Sequence, residues 1–132
     1  MDATILVIEE SLDLCRLFEY MLRADGYTVS AFTGWQAAHA QLAAAAPDLI
    51  IFDWSRANTA GYVWAEGLRQ APETSEIPIL FVCGDLPPRS TLEMIGSIGI
   101  SMIEKPFDIF MFRNRVTALL GRRERVAGGY YP

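Results

Sequence analysis

The chain has 132 residues, a little over half of them apolar, and a formal net charge of −5. That length and composition fit one globular domain with its own core. A chain this acidic has no field to draw a polyanion, which argues against direct nucleic-acid binding, and its only basic cluster, Arg122, Arg123 and Arg125, ends the last predicted helix, where it answers the helix dipole and water.

The opening "MDATILVIEE" has no cationic stretch before its apolar run, and two glutamates stop that run. No leader and no transmembrane span is expected, and the location is read as cytoplasmic. Five short apolar runs follow one another as predicted strands: "TILVI" at 4–8, "TVSAF" at 28–32, "DLIIF" at 48–52, "PILFV" at 78–82 and "ISMI" at 100–103. The first, third and fourth are apolar almost without alternation, as in strands covered on both faces.

Helical stretches lie between them. Ser11 is a candidate N-cap for a helix carrying Leu14, Phe18, Met21 and Leu22, and Gly26 stops it. The second helix covers Trp35 to Ala46 and ends before Pro47. The third starts near Gly61 or Tyr62 and ends by Pro72, the fourth covers roughly Pro88 to Ser97, and the fifth follows Phe107 and stops at Gly121. Residues 1–121 then form the domain, and 122–132 a short tail or linker remnant. Alternation of this kind implies an α/β fold, a parallel sheet with right-handed crossovers and helices on both faces.

In such sheets chemistry gathers at the carboxyl ends of the strands. Glu9 and Glu10 end the first strand, Asp53 the third, Cys83 the fourth and Lys105 the fifth. Three carboxylates at one sheet edge repel one another unless a cation joins them, and a hard oxygen set of this size suits Mg²⁺. Such a site also suits phosphoryl transfer to a carboxylate, with Asp53 as nucleophile and Lys105 pairing with the phosphoryl oxygens. Cys15 and Cys83 have neither CxxC spacing nor a nearby histidine pair, which argues against a disulfide framework or a zinc site.

The acidic pair after "ILVI", the segment "PDLIIFDWSRANTAG", the "IPILFV" strand and "KPF" at 105–107 together resemble the receiver domains of bacterial two-component response regulators, from about Thr4 to Gly121. The resemblance implies a flavodoxin-like (βα)5 sandwich with strand order 2-1-3-4-5. It also implies phosphorylation of Asp53 by a histidine kinase, a phosphotransfer protein or a small acyl phosphate. Mg²⁺ would be held by Glu9, Glu10, Asp53 and the Ser55 backbone carbonyl, Lys105 would contact the phosphoryl group, and the Lys105–Pro106 bond would be cis. The implied output is a protein contact with a downstream target, with self-phosphorylation and dephosphorylation of Asp53 as the only chemistry. The family's surface of fourth helix, fifth strand and fifth helix serves dimers or targets, and the apolar "FDIFMF" (107–112) predicts Phe110 or Met111 facing outward there.

The chain departs from the family at several positions. Cys83 replaces a threonine or serine whose hydroxyl donates to the phosphoryl group, and a thiol is a weak donor. A hydrogen bond to a charged group contributes roughly 1.5 to 3 kcal/mol, so losing half of it weakens a two-state bias roughly three- to tenfold. Met102 replaces the switch aromatic, Arg56 and Ala57 replace Met-Pro, and Glu10 replaces an aspartate, so that it bends back or reaches the metal through water. Asp85 adds a negative charge near the site, expected to slow phosphoryl entry and hydrolysis; Asp85→Asn tests this.

A phosphorylation-independent pseudo-receiver is therefore the alternative. A Cys83-dependent enzyme is a third reading, opposed by the lack of a base, since the single histidine, His39, lies in an alanine-rich helix. Trp54 is expected on the rim of the site, Trp35 and Trp64 on helix surfaces, Cys15 in the core and His39 without a role.

Overall fold

The structure, a computed structural model, describes residues 2–55 and 57–127, with the backbone alone for 122–127. Strands β1 (Thr4–Ile8), β2 (Thr28–Phe32), β3 (Leu49–Asp53), β4 (Ile79–Cys83) and β5 (Ile100–Glu104) alternate with helices α1 (Leu12–Ala24), α2 (Trp35–Ala45), α3 (Thr59–Gln70), α4 (Arg89–Ser97) and α5 (Ile109–Ala127). The strands pair in parallel in the order β2-β1-β3-β4-β5, the doubly wound order expected.

The unbroken apolar runs have a direct packing explanation. Leu6, Ile8, Ile50, Phe52 and Phe81 point to one face, where Trp64, Leu68 and Ile95 cover them. Ile5, Val7, Ile51, Leu80 and Val82 point to the other, beneath Phe18, Leu22, Phe112 and Val116. Both faces of the central strands are thus withdrawn from water, whereas β2 and β5 stand at the edges and carry half-exposed positions such as Ser30 and Ser101.

Local signals set the ends. The Ser11 hydroxyl accepts the Leu14 N–H at 3.4 Å, and Gly26 takes φ +93° beyond α1, a conformation that an L side chain resists. Ala46 ends α2 at φ 43° without being glycine, at a cost of about 1 kcal/mol; Pro47 behind it excludes a further helical turn.

Two helix boundaries differ from expectation by more than one residue. Helix α3 begins at Thr59, not at Gly61 or Tyr62, because Asn58 caps it, its Oδ1 accepting the Gly61 N–H at 2.8 Å. Gly61 is therefore inside the first turn, and a Cβ there would lie 2.7 Å from Phe52 Cζ and 2.8 Å from Asn58 Nδ2. Gly61→Ala is expected to lower stability by about 1 to 3 kcal/mol in urea unfolding; an unchanged midpoint would mean that the ring and cap give way freely. Helix α5 continues through Gly121 to Ala127, since one glycine costs a helix only about 1 kcal/mol and Arg-Arg-Glu-Arg behind it are good helix formers. The side chains of Arg122, Arg123 and Arg125, the tail 128–132, and Arg56 lie outside the described residues.

Arg69 is an anchor that sequence pattern does not show. Its guanidinium donates to the carbonyls of Ile98 (2.7 Å), Ile77 (2.6 Å), Gly99 (3.3 Å) and Ser75 (3.4 Å), tying the end of α3 to the segment before β4 and the turn before β5. Among the described residues no helix is long and apolar enough to cross a membrane.

Candidate functional site

The carboxyl ends of β1, β3 and β5 bring Glu9, Asp53 and Lys105 together. Glu9 extends β1 by donating its N–H to Phe32 O at 3.0 Å. Beyond β3, the Trp54 N–H bonds Val82 O at 2.9 Å, and beyond β5 the Lys105 N–H bonds Cys83 O at 2.8 Å. The sheet ladder therefore holds the backbone on which all three side chains stand. The Lys105 ammonium donates to Asp53 Oδ2 in a tight ion pair, with the lysine side chain 33% and the aspartate 13% exposed. The Lys105–Pro106 bond is cis, as expected.

Glu9 is the unusual member. It is 5% exposed, its Oε1 accepts the Ser11 N–H at 3.0 Å, and its Oε2 is buried without a partner. Burial pushes its carboxyl up to about 7, with the neighbouring Asp53 carboxylate adding to the effect, against the Ser11 N–H and Lys105. A buried carboxylate oxygen without a donor, beside a second carboxylate, is an arrangement that a cation relieves.

The five strand-end residues do not all converge. Glu10 is exposed, and among the described residues no three carboxylate, thiol or imidazole side chains are grouped to hold a metal ion. Glu10 lies at a bend beyond the end of β1, where its side chain meets solvent while Glu9 is buried. Two carboxylates still fit Mg²⁺, which keeps several waters and binds through one or two protein carboxylates plus phosphate oxygens. The Ser55 carbonyl accepts the Asn58 N–H at 2.8 Å and has a second lone pair free for such an ion.

Cys83 is wholly buried, on the face with Phe81 and Trp54, and its thiol donates to Asp85 O at 2.8 Å. The thiol thus ties down its own loop. Burial pushes its pKa up, the Asp85 backbone pulls the other way, and the Asp85, Asp53 and Glu104 carboxylates add to the rise. Cys15 is also buried and shifted up, mainly by burial. Neither thiol is expected to react with a disulfide reagent in the native protein near neutral pH, and both should react in denaturant. Rapid native labelling of Cys83 would contradict its enclosure and revive the Cys-dependent reading.

Trp54 does not form the rim. It is 3% exposed, stacks on Phe81 with ring centroids 5.1 Å apart and donates its indole N–H to Asn58 O at 2.9 Å. Trp64 is likewise buried, and donates to His39 Nδ1 at 3.0 Å, so the histidine is a specific partner of the core. Phe110 and Met111 are both exposed, but they face different ways. Phe110 shares a hollow with Asp25, Tyr27 and Arg113. Met111 precedes by one turn Arg115, which donates to Met102 O, and so lies on the β5 side.

A family model described as the response regulator receiver domain matches residues 5–117. The chain is 30% identical over 118 residues to the phosphate regulon transcriptional regulatory protein PhoB of Rhizobium meliloti, covering 89% of this chain and 52% of that one. It thus spans about half the length of that curated relative. A putative response regulator from Chloroflexus aurantiacus is similar in structure with a TM-score of 0.79 and 25% identity, over 92% of this chain and 99% of the other. A response regulator protein from Burkholderia multivorans gives a TM-score of 0.72 at 27% identity, over 90% and 95%.

Proposed function

We propose, from the premise that this chain belongs to the response regulator receiver domain family and so serves two-component signalling, that Asp53 is its phosphoacceptor. The observation that carries this reading is the Lys105 ammonium held on Asp53 Oδ2 beside the buried Glu9 carboxyl. In the reaction an Asp53 carboxylate oxygen forms a bond to phosphorus as the bond to the donor's oxygen or imidazole nitrogen breaks, and Lys105 moves its hydrogen bond to a phosphoryl oxygen. Glu9, Asp53 and the Ser55 carbonyl would hold Mg²⁺, with Glu10 reaching it through water. The ion would offset the charge of carboxylates and phosphoryl oxygens at once.

Receiver domains work with histidine kinases and downstream effectors, and two surfaces support such roles here. Leu14, Leu17 and Ile109 are exposed around a hollow that also includes Lys105 and Gly84, and this apolar face supports the docking of a phosphodonor protein there. Leu17→Glu is expected to slow transfer from a protein phosphodonor at least about tenfold while leaving loading by a small acyl phosphate unchanged; equal slowing of both would place the fault in the acceptor site itself. Met94 on α4 and Met111 on α5 are exposed on the second surface, where a target or a second copy would bind. A cytoplasmic location belongs to the same reading, which leaves Cys15 and Cys83 as free thiols.

The test is intact-protein mass spectrometry after incubation with a small acyl phosphate, with and without Mg²⁺. Gain of one phosphoryl group only with metal is the expected result. No gain from that donor or from a partner kinase would favour the phosphorylation-independent module, for which the buried, loop-bound Cys83 and the Met102 that replaces the switch aromatic speak.

A further inference from the structure

We infer, resting on the receiver reading above, that Trp54 and Asn58 are positioning residues: they fix the direction of the Ser55 carbonyl, so that an indole buried in the core sets the affinity of the acceptor site for Mg²⁺. A carboxylate can turn about its own side-chain bonds to meet an ion, whereas a backbone carbonyl turns only with its peptide plane. Whatever holds that plane therefore orients the ligand. Ser55 lies two residues beyond β3, on the segment leading to α3, and its side chain is exposed. Its anchoring falls to its neighbours.

Those neighbours are held from both sides. Trp54 is tied to the sheet, its backbone N–H donating to Val82 O at 2.9 Å and its ring stacking on Phe81. Asn58 is tied to the helix, its Oδ1 accepting the Gly61 N–H at 2.8 Å and its carbonyl the Tyr62 N–H at 3.3 Å. The Trp54 indole N–H joins the two by donating to Asn58 O at 2.9 Å, and the Asn58 N–H donates to the Ser55 carbonyl itself at 2.8 Å. A residue fastened to the core thus grips the one residue that grips Ser55.

The residue types suit this clamp. Phenylalanine could stack on Phe81 as Trp54 does, but only the indole adds an N–H donor to a ring that the core accepts. At 3% exposure, that donor has Asn58 O in place of water. The Asn58 side chain in turn occupies space left by Gly61, where a Cβ would stand 2.8 Å from Asn58 Nδ2 and 2.9 Å from its Cγ.

The experiment is a Mg²⁺ titration of the full chain followed by amide NMR shifts, with loading by a small acyl phosphate measured over the same Mg²⁺ range. Trp54→Phe keeps a stacked ring and removes the donor. Its Mg²⁺ dissociation constant is expected to rise about tenfold or more, the size of loss usual when the partner behind a metal ligand is removed. Loading should slow at low Mg²⁺ and recover at saturating Mg²⁺, because Asp53 and Lys105 are untouched. Asn58→Ala should weaken Mg²⁺ binding comparably and carries the test should Trp54→Phe not fold, whereas Asn58→Ser, which keeps a capping oxygen, should restore most of the affinity. The double variant should lose little more than the worse single one, since both act through one carbonyl. Trp64→Phe is the control for stability alone: it also removes a buried indole donor, the one on His39 Nδ1, and should leave Mg²⁺ affinity unchanged. Wild-type affinity in folded Trp54→Phe and Asn58→Ala, an equal loss in Trp64→Phe, or fully additive losses in the double variant would overturn the clamp and leave the acceptor reading standing. A wild type that binds no Mg²⁺ would remove the metal from that reading and the clamp with it.

Discussion

Asp53→Asn is expected to take up no phosphoryl group under conditions that load the wild type, from a small acyl phosphate or from a kinase. Asparagine matches aspartate in shape, but its amide is no nucleophile, so the rate should fall by several orders of magnitude, as it does when an enzyme loses its attacking group. Lys105→Ala separates acceptance from electrostatics. It leaves Asp53 in place and removes the ammonium that pairs with Oδ2, and should slow loading by about a hundredfold or more without changing which residue is modified. The core contains neither residue among its buried hydrophobic side chains, so both variants should keep cooperative unfolding. A phosphoryl group on Asp53→Asn would place the acceptor elsewhere, and Glu9 and Glu10 would be the carboxylates to replace next.

The fold was legible because burial on both faces of β1, β3 and β4 writes continuous apolar runs into the chain. Glu9, Asp53 and Lys105 were legible because each stands where such a run ends. Two of the differences share one physical cause, that side chains keep alternating along and just beyond a strand. Val82 pairs with Asp53 across the sheet, so Cys83 belongs to the opposite face and enters the core. Trp54, one residue beyond Asp53, turns the same way and stacks on Phe81. Counting parity from the buried strand residues would have found both, whereas Glu10 sits at a bend, exposed, where parity no longer applies. By contrast, the contacts of Arg69 with four carbonyls and of Trp64 with His39 join distant segments, and no local pattern announces them.

The orphaned oxygen of Glu9 makes the stability of the metal-free protein depend on pH. In the unfolded chain Glu9 releases its proton near the ordinary 4.5, whereas in the folded protein burial and Asp53 hold it to about 7. Between those values the folded state binds a proton that the unfolded state has lost, so this contribution is complete below the lower value and disappears as pH rises through the upper one. The ceiling on the loss is about 3 kcal/mol. Urea midpoints should therefore fall between about pH 5 and about pH 8 in the presence of a chelator, and Glu9→Gln should flatten the slope. Mg²⁺ should stabilise the wild type far more at the higher pH, because a cation favours the ionised pair, and should do little for Glu9→Gln. A slope as steep in the variant as in the wild type would assign the pH dependence to other groups. Stabilisation by Mg²⁺ that persists undiminished in Glu9→Gln would move the ion off this carboxylate, leaving Asp53, Glu10 and the Ser55 carbonyl to hold it and removing the reason for burying an acid at the end of β1.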